Sequence, residues 1–189
     1  MHNQLEAPMD FHLTDSIALL SHTPATLDAL LRDLPDAWTS GNEGENTWTP
    51  NAVVAHLIHG ERSDWMARAR IILHHGETQT FQPVDRSAHL QMATESSLPE
   101  LLDEFKRLRS KNLDELNSLH IGPHDLQKCG RHPALGTVTL SQLIATWTVH
   151  DLTHLHQITR ILAHQYREAV GPWNKFLGVL QCSGHSAPA

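Results

Sequence analysis

Two cysteines, Cys129 and Cys182, are the only thiols in 189 residues. So few, and so far apart, they supply neither a disulfide framework nor a CxxC metal site, and they fit a reducing cytosol. Basic charge is scarce too. The formal net charge is −7 with histidines neutral, which leaves little to attract a phosphate backbone and disfavours nucleic-acid partners. No stretch reaches the roughly 18 uninterrupted apolar residues of a membrane span. The opening MHNQLEAPMDFHL lacks the basic start and apolar run of a secretory signal. Internal repeats, long linkers, a Gly-rich phosphate loop and a G-x-S-x-G elbow are missing as well. What remains is 40% apolar and 19% charged, the composition of a soluble globular protein long enough for one packed domain and short for two. The expectation is a cytoplasmic, single-domain chain over residues 1–189, with a core at 14–165 and a loosely packed tail at 171–189.

Histidine is what the sequence has in excess, with 16 in the chain. His2, His12, His22, His89 and His185 sit in polar or terminal contexts and are assigned no role. His74 and His75 close a helix, where the dipole favours them.

Four amphipathic helices with little strand signal predict an all-α four-helix bundle. In the first, Thr23 reads as N-cap and Pro24 as the first helical residue, with Leu27, Leu30, Leu31 and Leu34 on one stripe and a shorter piece at 14–21 leading in. The second is capped by Thr49, opens on Pro50 and runs to Ile71 or Ile72. A polar, Pro-broken loop, GETQTFQPVDRSA, follows. The third carries Leu98, Leu101, Leu102, Phe105, Leu108, Leu113 and Leu116 on one face and charge on the other. A Gly/Pro-rich connector with room for a short extended turn leads to the fourth, from Thr139.

In the fourth helix Leu143, Trp147, His150, His154, Ile158 and Ile161 follow a single inward stripe. His150 and His154 stack one turn apart, while His156 lies roughly 200° round the helix from His154. Paired imidazoles at i, i+4 suit a metal ion, though a buried pair can equally be satisfied by carbonyls. The second helix offers a third nitrogen, His56, on an expected stripe of Val53, His56, Gly60, Ala67 and Ile71, with His59 as competitor. Three neutral nitrogens leave a fourth position open. Glu61 and His59 are the nearest general-base candidates. Gln157 could orient His154, and Trp147 is a core residue or pocket wall. Asp151 points about 100° away from His150.

These residues resemble the DinB-like superfamily, which also includes YfiT-like metal-dependent hydrolases. WTPNAVVAHLIHGE and GTVTLSQLIATWTVHDLTHLHQITRIL carry the likeness, which spans residues 14–165. Its specific part is one histidine early in helix two and HxxxH in helix four. The resemblance implies an antiparallel four-helix bundle with a long crossover connection, frequently a homodimer. It implies a divalent metal, zinc or nickel, on His56, His150 and His154. It also implies a thiol S-transferase or isomerase using bacillithiol, mycothiol or glutathione, or a hydrolase, acting on a small-molecule substrate; the alternative is a non-catalytic bundle that works through protein partners.

Overall fold

A computed structural model of the chain describes residues 10–83 and 88–182. His2, His185 and the last part of the tail lie outside the described residues. The elements are, in order, α1 (Leu13–Leu31), α2 (Asp36–Thr39), α3 (Pro50–Ser63), α4 (Trp65–His74), α5 (Ala88–Glu95), α6 (Leu98–Ser118) and α7 (Pro123–Leu126). A hairpin of β1 (Cys129–His132) and β2 (Gly136–Thr139) follows, then α8 (Leu140–His164) and α9 (Gly178–Gln181). In the hairpin Cys129 pairs with Thr139 and His132 with Gly136.

The bundle consists of α1, α3 continued by α4, α6 and α8. Both α6 and α8 pack against α1 and against α3. Helix directions follow from two apolar clusters. One joins Leu27 and Leu31 of α1, Val53 to Ile58 of α3, Leu98 to Leu108 of α6, and Ile158 and Ile161 of α8. The other joins Leu20 of α1, Trp65 to Ile72 of α4, Leu113 and Leu116 of α6, and Leu140 to Trp147 of α8. Helices α1 and α8 therefore run one way, and α3–α4 and α6 the other. Since α4 ends in the second cluster and α6 begins in the first, their connection runs from one end of the bundle to the other. This is the long crossover, and its helix α5 packs on α3.

Local chemistry sets the helix starts. Thr49 Oγ1 accepts the Ala52 N–H ahead of Pro50, and Thr139 exchanges hydrogen bonds with Gln142 in a capping box. At α6 the Ser97 N–H donates to Glu100 Oε2 at 2.8 Å.

Three expectations need correction. Thr23 and Pro24 do not open a helix, because α1 runs unbroken from Leu13 to Leu31 with Pro24 inside it. A proline costs the helix one N–H, and the carbonyl that loses its partner is Leu20's, four residues back. The second helix is not continuous either. It kinks at Asp64, which pairs with Arg68. The kink shifts the phase, so Trp65, Met66, Ala69 and Ile72 are buried in place of Ala67 and Ile71. Finally, the segment after the polar loop holds a helix, α5, whose Met92 and Ala93 join the first cluster, and Phe81 inside the loop is core. In the tail, Trp173 and Phe176 are exposed.

Candidate metal centre

Between the two apolar clusters α3 and α8 bring three imidazoles together. His56 Nε2 lies 3.1 Å from His150 Nε2, which lies 3.1 Å from His154 Nε2. The three donor atoms all fall within 4.8 Å of one another. His154 is buried, His56 and His150 half-buried. Burial is the main force holding all three protons off. It lowers His56 to about 3, helped by His154, His89 and His59. It lowers His150 to about 2, helped by His154, His56 and Arg109. His154 is lowered by burial too, against opposing pulls from Gln157 and Asp151. At neutral pH the three rings are therefore uncharged, as ligands must be.

The donor set fits a cation better than it fits itself. A ring nitrogen carries one proton or one lone pair, so His150 Nε2 can satisfy only one of its two 3.1 Å approaches by a linear hydrogen bond. A shared ion accepts all three lone pairs. Gln157 Oε1 sits 2.8 Å from His154 Nδ1. That contact takes a proton on Nδ1 and leaves Nε2 facing the cluster as a lone pair. The Nδ1 atoms of His56 and His150 are buried with no hydrogen-bond partner, so those rings are held by aromatic neighbours. Trp48 lies 4.9 Å from the His56 ring and parallel to His154 at 6.2 Å. Trp65 meets His150 edge-on at 5.0 Å and stacks on Trp147 at 5.9 Å. Gly60 leaves room for that indole: a Cβ there would stand 3.0 Å from Trp65 Nε1.

Not every candidate joins the triad. Glu61, expected as a general base, is buried with both oxygens engaged: Oε1 accepts from Arg109 and Trp147, and Oε2 from Asn112. With no free oxygen turned to the cluster, it is built to support rather than to accept a proton. His59 stays half-buried one turn beyond His56, its Nε2 3.3 Å from Ser63 Oγ. Ser63 Oγ donates to the His59 carbonyl at 2.8 Å. Trp147 is core, and its indole N–H donates to Glu61 at 3.0 Å.

His89 is a correction. Read as a polar-context residue without a role, it is fully buried, with its ring 4.5 Å from Trp48 and 5.1 Å from His56. Only the packing of α5 on α3 could show this. Arg109 and Asn112 were equally hidden, sitting in a stretch of α6 that reads as a charged outer face.

The family model of the DinB superfamily matches residues 19–158. The chain belongs to the DinB superfamily. Among solved structures, YfiT from Bacillus subtilis aligns with TM-score 0.72 and 19% identity over 87% of this chain and 93% of that one. YfiT is described as a probable metal-dependent hydrolase with an unusual four-helix bundle topology. TT2238, a four-helix bundle protein, aligns with TM-score 0.52 and 23% identity over 77% of this chain and 97% of that one. At these identities the likeness shows the DinB-like fold. No curated protein matches in sequence.

Proposed function

We propose that this DinB-superfamily chain is a metal-dependent enzyme acting on a small molecule, as a low-molecular-weight thiol S-transferase or a hydrolase. Its cofactor in this reading is one zinc or nickel ion on His56, His150 and His154. The observation that carries it is the convergence of three uncharged imidazole nitrogens, one of which can satisfy only half of its close contacts without a cation. Held by His56, His150 and His154, a divalent ion would supply Lewis-acid chemistry, able to polarise a carbonyl or favour the thiolate of a thiol. Trp48 and His89 pack against the His56 ring and Trp65 against the His150 ring, which would give an ion there largely apolar and aromatic surroundings. Gln157 keeps His154 in the tautomer that offers Nε2. With Glu61 engaged elsewhere, His59, one turn beyond His56 on α3, is the side chain assigned to move a proton in this reading. A likeness to YfiT, described as a probable metal-dependent hydrolase, supports the same reading.

The test pairs metal content with activity. Untagged protein is expected to hold about one divalent ion per chain. Zinc- or nickel-loaded protein should transfer bacillithiol, mycothiol or glutathione to an electrophile, or hydrolyse a simple ester or amide. Metal-loaded protein inactive in every such assay would favour a non-catalytic bundle.

A further inference from the structure

Arg109 is 1% exposed at the centre of the bundle and ties its four long helices together. All five guanidinium N–H groups are used. Nε donates to Glu61 Oε1 at 3.1 Å, and Nη2 to Glu61 Oε1 at 2.8 Å and Asp151 Oδ1 at 3.0 Å. Nη1 donates to Asp151 Oδ2 at 2.6 Å and to the Leu20 carbonyl at 2.8 Å. That carbonyl is the one Pro24 cannot use, since a proline has no N–H to return to it. Asn112 Nδ2 donates to both the backbone and the side chain of Glu61, and Trp147 completes the cage.

A buried ionic group is a poor way to stabilise a fold, because desolvation offsets much of the attraction. Its placement suggests another use. Glu61 lies on α3 five residues after His56; Asp151 lies on α8 beside His150 and three before His154. One guanidinium thus grips the two ligand-bearing helices through one carboxylate on each, which sets their register. The charges do not balance, since two carboxylates face one guanidinium in a site shielded from water. The three imidazoles bring no negative charge of their own to a dication.

We propose that Arg109, Glu61 and Asp151 are positioning residues for the metal centre, fixing α3 against α8 and supplying the surplus negative charge that balances the cation. This rests on the metal reading above. The group touches no ligand nitrogen and acts through helix placement and field.

Cobalt(II) titration followed by visible absorption tests it, with circular dichroism of the metal-free protein as a check on folding. Asp151→Asn and Glu61→Gln each remove the surplus charge while keeping side-chain size. Each is expected to weaken cobalt binding about tenfold, about 1.4 kcal/mol. Asn112→Leu loses hydrogen bonds of the same cage but no charge, and is expected to stay within about threefold of the parent, under about 1 kcal/mol. Should both charge variants fail to fold, Arg109→Lys keeps the charge sum and breaks the fork. It should lose stability and bind cobalt about threefold to tenfold more weakly, because helix placement is lost while the surplus charge remains. Unchanged affinity in both charge variants overturns the inference while leaving the metal reading intact. So does a loss in Asn112→Leu as large as theirs, or unchanged cobalt affinity in Arg109→Lys. A parent protein that binds no cobalt sinks both.

Discussion

At His154 one hydrogen bond decides which nitrogen faces the cluster. Gln157 lies one turn on along α8, and its carbonyl at 2.8 Å fixes the proton on Nδ1. Removing such an outer partner typically weakens metal binding about 10- to 100-fold. Gln157→Leu is expected to do so with helical content unchanged, and competition titration with a zinc chelator reads it; an unaltered affinity would contradict the role. Gly60 carries a second prediction. Gly60→Ala gains about 1 kcal/mol of helix propensity, but its Cβ meets Trp65 Nε1 at 3.0 Å, and overpacking costs about 1–3 kcal/mol. Urea unfolding should therefore show no gain in stability. Residue roles were readable from the sequence wherever they depend on spacing within one helix. HxxxH on an apolar stripe is such a case. Arg109 is the opposite case, since its burial is decided by three other helices and its own neighbours, Lys106, Arg107 and Lys111, suggest solvent.

The elements show where local signals were sufficient and where they were overridden. Thr49 with Pro50, and Thr139 with Gln142, mark helix starts by chemistry contained in a few residues, and the structure keeps both. Thr23 with Pro24 carries the same signature and starts nothing, because Arg109 satisfies the carbonyl that an internal proline leaves open. A helix-interior proline ordinarily costs about 3 kcal/mol against alanine. Here part of that cost is already met, so Pro24→Ala should raise stability by clearly less, as read by urea midpoints. The kink at Asp64 and the helix α5 depend on contacts that cross the bundle, which no period in the sequence encodes. Between α3 and α6, Glu104 bonds to Arg107 and Arg62, and these bonds hold its carboxyl down at about 2. An unfolded glutamate titrates near about 4.3. Its contribution is therefore complete above that value and is lost as pH falls from there through about 2. Parent protein should lose more stability between about pH 5 and pH 3 than Glu104→Gln, whose side chain does not titrate in that window.

For the whole molecule, the amphipathic pattern made a four-helix bundle readable and the family resemblance implied its antiparallel order and long crossover. Which helix ends share a core is legible only in the structure. That arrangement places the triad at the waist between two apolar clusters, with α5 of the crossover laying His89 against His56. Among the described residues no helix is long and apolar enough to cross a membrane. A ligand bound only by the folded form raises stability by about 2.7 kcal/mol at a hundredfold excess over its Kd. Zinc or nickel should accordingly raise the melting temperature and a chelator lower it. If three imidazoles from α3 and α8 hold one ion, an anomalous difference map from crystals grown with zinc shows it. A single strong peak is expected about 2.0–2.1 Å from Nε2 of His56, His150 and His154. Full zinc occupancy elsewhere, with no peak among these three nitrogens, would contradict it.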